Sequence, residues 1–303
     1  MGDILAYALD FVWATLAQSG IYAIVALGLV ITFQVIRFPD LTPDGSFTLG
    51  GAIAAQAIIT IHSPFGGLIG IAYAFMAGGM AGYLTGFLSV RIKINRILCG
   101  ILVATMLYSI SLWVMGRGNI PLLKGFTIFT PFEGGLLGDI IPSLLLFFIA
   151  ILASVCIWAL LRSDIGLLLR ATGQNAHIVK GSAKNSDLYT LLGVALSNSL
   201  IALGGGLAAQ QYGFADINLG LGTLVSGLAC LFLGEALVRP RSPRSLLVAA
   251  IVGSLIYVIV RNIALRLGFG ASDLKFVTAM IVIIVLVCRR GGGDRHALPE
   301  DLF

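Results

Sequence analysis

Long apolar runs fill most of the chain, and polar residues are confined to short clusters between them. A helix crossing hydrocarbon needs about 17 to 25 mostly apolar residues, fewer where it is broken. Nine segments meet that measure, at 19–36, 47–62, 67–90, 97–115, 141–162, 188–209, 219–237, 246–265 and 273–288, preceded by an amphipathic stretch at 3–17. Lipid admits only spanning elements that satisfy their own backbone, so the pattern predicts an all-α, polytopic membrane protein. Residues 1–303 read as a single transmembrane domain, with no stretch polar enough for a separate soluble one.

The pattern is interrupted in a telling place. Residues 38–48, FPDLTPDGSFT, set two prolines, a glycine and two carboxylates between apolar runs. Pro39 and Pro43 prevent a continuous helix, and Asp44 or Ser46 is placed to cap a helix starting near Phe47. Unpaired main chain at membrane depth must face protein or a wet cavity. The second half carries an echo at 212–220, YGFADINLG, in which Phe214-Ala-Asp-Ile matches Phe38-Pro-Asp-Leu. Each precedes a short, glycine-containing span. The halves 19–115 and 188–288 therefore read as a weak inverted repeat, and paired breaks in inverted halves point to a transport pathway. On this reading Asp40, Asp44, Ser46 and Thr48 shape the path, joined by Asn198, Asp216 and Asn218 from the second half.

Glycine is frequent within the spans, with 38 in the chain. Gly78, Gly82 and Gly86 form a ladder that lets helices approach within the chain or, alternatively, at a dimer seam. Gly204-Gly205-Gly206 is expected to interrupt the sixth segment.

Composition sharpens the class. Hydrophobic residues make up 58% of the chain and charged ones only 11%, more apolar side chain than one soluble core can bury. The net charge of +5 raises nucleic acid as a partner, but the basic residues follow topology instead. One set of alternate loops collects Arg37, then Arg91, Lys93 and Arg96, then Arg162, Arg170, Lys180 and Lys184, then Arg239, Arg241 and Arg244, and finally Arg289, Arg290 and Arg295. The other set holds only Arg117, Lys124, Arg261, Arg266 and Lys275. The positive-inside rule then puts the N-terminus outside and the C-terminus in the cytoplasm. The first apolar run lacks a basic leader and a cleavage pattern, so no removable signal peptide is expected.

Several chemistries are absent. No lysine follows a glycine, so there is no phosphate-cradling loop and any ATP hydrolysis must lie in a separate subunit. HExxH and GxSxG are missing, and His62, His177 and His296 are scattered over loops. The four cysteines lie far apart in apolar runs, which suits buried small side chains rather than a metal site or disulfides. No cofactor is implied, and the chain does not read as an enzyme. Among acids, Asp40, Asp44, Asp216 and Glu235 stand apart from ordinary loop positions, and Glu235 is spaced to pair with Arg239.

The chain resembles the membrane subunits of bacterial ABC importers of the ribose and branched-chain amino acid permease type. The residues carrying the likeness are LRATGQNA at 169–176 with Gly181, LGGGLAAQQYG at 203–213, LFLGEAL at 231–237 and FPDLTPDGSFTLGG at 38–51. The last is similar to a subgroup that includes aromatic amino acid importers. The resemblance implies that the inside loop 162–187 is a coupling segment seated on a cytoplasmic ATPase, with Gly173, Gln174, Asn175, Ala176, His177 and Gly181 at the contact. It also implies an extracytoplasmic solute-binding protein, a homodimer in the bacterial inner membrane, and a small organic solute such as an amino acid. Glu235 departs from the family pattern where a second glycine is expected, and Lys180 makes the coupling loop more basic. An ion-coupled secondary transporter or channel would work without an ATPase, and a scaffolding membrane protein would hold no wet path around 38–48.

Overall fold

The computed structural model describes residues 2–61, 63–122, 125–132, 138, 140–174, 185–270 and 273–291. Among the described residues ten α-helices carry the fold: α1 (Gly2–Leu29), α2 (Pro43–Thr60), α3 (Gly66–Val90), α4 (Arg96–Met115), α5 (Ile140–Arg162), α6 (Asp164–Gln174), α7 (Ser186–Tyr212), α8 (Thr223–Val238), α9 (Pro243–Arg266) and α10 (Leu274–Gly291). α1 continues without interruption into a π-helical segment, Val30–Val35. The amphipathic stretch and the first expected span are thus one helix, because no breaker separates them.

Six helices among the described residues are long and apolar enough to cross a membrane: Leu9–Val35, Gly66–Val90, Arg96–Met115, Ile140–Arg162, Ser186–Tyr212 and Pro243–Arg266. The three other expected segments fall on α2, on the shorter α8 and on α10, whose apolar part is Leu274–Ile284. At about 1.5 Å per residue the 16 residues of α8 reach roughly 24 Å, short of a hydrocarbon core about 30 Å thick.

Local chemistry sets the helix ends. Asn95 and Asn185 cap α4 and α7 by accepting from the amides of Ile97 and Asp187. Ser242 and Ser245 form a reciprocal capping box at α9. Gly116 and Gly213 end α4 and α7 with positive φ angles of 65° and 73°, which a residue with a Cβ resists. α2 opens on Pro43 rather than near Phe47, since a proline at the first helical position gives up an amide that had no partner.

Close helix contacts hold the centre together. The ladder Gly78, Gly82, Gly86 faces α7, against Asn198, Val194 and Leu191, so it is used within the chain. The expected interruption at Gly204-Gly205-Gly206 does not occur, and α7 runs through it. Gly205 instead admits α2, since a Cβ there would run into the carbonyl oxygen of Phe47. The neighbour pattern repeats between halves, with α3 on α7 and α9 on α1, α2 on α7 and α8 on α1, and α2 on α4 and α8 on α10. The main core gathers Ile24, Leu27, Ile31, Phe38, Leu146 and Tyr257. Outward-facing Met76, Met80, Trp113 and Phe148 leave the periphery apolar, as lipid contact requires.

Candidate translocation site

The interruption after α1 lies inside the protein. Phe38, Asp40 and Thr42 are buried, and three amides of the irregular backbone find partners within the protein. The Ile36 amide donates to Ile31 O at 3.0 Å and that of Phe38 to Thr32 O at 2.8 Å. The Thr42 amide donates to Asp40 Oδ1 at 2.9 Å. Asp40 does for the break what a ladder partner would do in a helix.

Asn198, halfway along α7, joins this segment to the second half. Its Nδ2 donates to Asp40 Oδ2 at 2.7 Å and to Val194 O at 3.0 Å, while its Oδ1 accepts from Ser46 Oγ at 2.6 Å. Asp40, Ser46 and Asn198 are all fully buried, at 0% exposure. Three of the residues singled out by sequence therefore form one continuous cluster. Thr42 extends it to α3 through Thr85, at 2.8 Å between hydroxyls.

Asp44 and Thr48 have a different role from the one their position predicts. Rather than capping α2, Asp44 accepts from the Gly222 amide at 3.1 Å and the Leu224 amide at 2.8 Å. Gly222 is the N-cap of α8 and has no side chain to offer, with φ at 88°. Asp44 sits in the first turn of α2 as well, so one carboxylate serves two positive helix ends. Thr48 donates to Asp44 O at 3.0 Å and accepts from the Gly220 amide at 3.1 Å. Asp216 and Asn218 are not part of this group. Asp216 lies on a short strand, Phe214–Asp216, paired antiparallel with Asn119–Pro121. Its carboxylate accepts from the Asn218 amide at 2.8 Å and from Asn119 Nδ2 at 3.2 Å.

α8 links this group to the first break. Its far end reaches the π segment, where buried Glu235 accepts from Gln34 Nε2 at 2.6 Å. From Leu224 to Glu235 is about 16 Å along the axis, so the Asp44 contact and the Gln34 contact stand about that far apart along α8. Glu235 thus has a partner across helices that local spacing did not predict.

The basic end meets α6, the helix expected at the centre of the 162–187 loop. Gly173 abuts the last turn of the π segment: a Cβ there would run into the Val35 carbonyl oxygen and stand 2.8 Å from Ile36 Cα. Leu169 is buried beneath it, close to Gly193 of α7. Gln174 ends the helix, exposed. Asn175, Ala176, His177 and Gly181 lie outside the described residues, as do His62 and His296.

Among the described residues no group of three or more metal-ligating side chains gathers, and the free cysteines Cys99 and Cys230 are buried while Cys156 is exposed. Sequence reasoning passed over Gln34, Thr32 and Ser197, which join α1 to α7 and α8. It also counted Arg261 only by the side on which it falls, near the end of the 246–265 span, and drew nothing from its place within α9. The signal was present: a lone cation within an apolar run is costly and therefore informative.

The family described as branched-chain amino acid transport system, permease component, matches residues 11–287. The chain belongs to it. This permease is 37% identical over 273 residues to a tyrosine transport system permease protein of Clostridioides difficile, covering 90% of this chain and 89% of the relative. It is 34% identical to an uncharacterised Rickettsia prowazekii protein over 89% of this chain and 95% of that one. An autoinducer 2 import system permease of Yersinia pseudotuberculosis is 24% identical over 80% of this chain and 67% of its own length. A solved inward-facing ABC transporter of the metal-chelate type shares the fold, with a TM-score of 0.55 and 16% identity over 92% of this chain and 84% of the other. The motifs at 38–51, 169–176 and 203–213 thus pointed to the right family, and the permease is a multi-pass membrane protein of the ABC importer class.

Proposed function

We propose that the permease imports an amino acid, driven by ATP hydrolysed in a separate cytoplasmic subunit. Its relation to a tyrosine system permease supports an aromatic or similar amino acid as solute. Two copies form the pathway in the bacterial inner membrane, with the N-terminus outside and the C-terminus inside, and a solute-binding protein delivers cargo from outside. Halves 19–115 and 188–288 act as inverted units of one domain over residues 1–303. Gly173 and Gln174, with Asn175, Ala176, His177 and Gly181, form the ATPase contact; Asp40, Asp44, Ser46, Thr48 and Asn198 shape the path, and Asp216 and Asn218 support its mouth.

One observation carries the reading: Gly173 of α6 abuts Val35 and Ile36, where the break begins. A push on α6 is therefore delivered directly to irregular main chain, which rearranges at less cost than a helix interior. In vesicles reconstituted with the permease and its ATPase, amino acid uptake is expected to stop when internal ATP is removed. Uptake that continues without ATP overturns the proposal. Such a result favours ion coupling, for which the buried Asp40 would be the natural carrier.

A further inference from the structure

Beyond Asp44, away from the basic end, the helices leave a half-open pocket of about 340 Å³. The aromatic residues Tyr22, Phe47, Tyr212 and Phe214 line it, together with Thr223 and Arg261. The volume is at the lower end of the range for small-molecule sites, about 300 to 1,000 Å³. Phe47 and Thr223 are buried, whereas Phe214 is 38% exposed and forms a rim.

Arg261 is the feature that needs explaining. α9 begins its basic end near Arg244, and seventeen residues at about 1.5 Å each carry Arg261 roughly 25 Å from there. Nη1 donates to the Tyr22 hydroxyl at 2.6 Å, and the guanidinium lies over the Tyr22 ring at 5.4 Å. The titratable groups around it are Tyr22, Tyr212, Tyr257 and Cys230, with no carboxylate among them in the described residues. Tyr257 is itself engaged with Ser226 and Thr278. A guanidinium has five N–H donors in a planar fork, and Tyr22 accepts from one. An uncompensated cation among membrane helices is costly unless it faces a wet cavity or an anionic partner, and this one faces the cavity.

From this geometry we infer that the cavity is a solute site for an aromatic carboxylate, in this protein an aromatic α-amino acid. Its carboxylate docks on the Arg261 fork and its ring lies among Phe47, Tyr212 and Phe214. A fork meets a carboxylate with two parallel hydrogen bonds, and the flanking rings discriminate a flat side chain from a branched one. Tyr22 holds the guanidinium in position. The site names the recognition chemistry of the importer proposed above and rests on that reading for its place in a transport cycle.

The test is direct binding to the permease–ATPase complex in lipid nanodiscs, using radiolabelled L-tyrosine with L-phenylalanine, tyramine and L-leucine as competitors. L-Phenylalanine is expected to compete well, and tyramine and L-leucine at least tenfold less well. Arg261→Gln is expected to weaken L-tyrosine at least tenfold, and Arg261→Lys, which keeps charge without the fork, by less. Phe214→Ala, at an exposed rim that the fold tolerates, is expected to narrow the preference for L-tyrosine over L-leucine. Absence of saturable binding, equal competition by tyramine, or binding unchanged in Arg261→Gln overturns the inference. Should Arg261→Gln fail to assemble, the tyramine and Phe214→Ala comparisons decide alone. Arg261-dependent binding without ATP-driven uptake sinks the importer reading but not the site, and ATP-driven tyrosine uptake indifferent to Arg261 does the reverse.

Discussion

At Asn198 one side-chain amide holds two partners that have no access to water, Asp40 on one side and Ser46 on the other. Leaving a buried polar group unpaired costs about 1–3 kcal/mol, more when it is charged. Asn198→Ala strands both partners and is expected to cost about 3–5 kcal/mol, whereas Ser46→Ala strands only one amide oxygen and costs about 1–2 kcal/mol. Thermal unfolding of the purified variants in detergent ranks them, and equal shifts would argue against the cluster as the link between halves. Asp44 offers a second comparison. Its two oxygens take separate amides, at Gly222 and Leu224, so Asp44→Asn keeps one acceptor and Asp44→Ala keeps neither. Caps contribute about 0.5–2 kcal/mol, so the alanine variant should lose roughly twice what the asparagine variant loses. Sequence alone made Asp40, Asp44 and Ser46 conspicuous, since carboxylates beside prolines do not belong in hydrocarbon. It could not assign Asp44 to α8, because the two are 178 and 180 residues apart in the chain.

Several helices in this permease approach backbone to backbone, and glycine decides where. Gly173 is the informative case, as a Cβ there would collide with the Val35 carbonyl oxygen. α6 is short, and of its residues only Gly166 and Leu169 are buried, so its displacement disturbs the bundle little. Gly173→Ala is therefore expected to leave the permease folded and ATP hydrolysis present while lowering uptake at least tenfold; parallel assays of phosphate release and uptake in vesicles check this. Equal loss of both activities would instead mark Gly173 as part of assembly. Gly205→Ala should fail at an earlier stage, since its Cβ has only the Phe47 backbone to meet. Helix identity was legible from the length of the apolar runs, yet the start of α2 was misjudged by four residues. A proline can open a helix as readily as it ends one, and local pattern does not choose. The Gly204-Gly205-Gly206 run misled for a related reason: glycine weakens a helix in water, but among apolar neighbours the helix retains its hydrogen bonds and gains a close partner.

For the whole molecule the decisive asymmetry is electrostatic. Arg162 and Arg244 both lie over the ring of half-buried Trp158, at 4.9 and 4.4 Å, and Arg96 reaches the Arg37 carbonyl oxygen. The arginines of the break, α5 and α9 thus gather at one end. If that end is cytoplasmic, a protease-cleavable tag on the C-terminus should be cut only after vesicles with native orientation are opened, and one on the N-terminus before. The reverse result would invert the membrane topology.

From sequence alone came the membrane class, the approximate segments, the separation of basic loops and the family, because hydrophobic length, charge bias and short motifs are local properties. Tertiary structure decided that the break is sheltered by Asn198, that Asp44 caps a helix from the other half, and that Arg261 turns into an aromatic cavity. Each of those depends on which distant backbones approach closely enough to exchange hydrogen bonds, and local pattern does not encode that proximity.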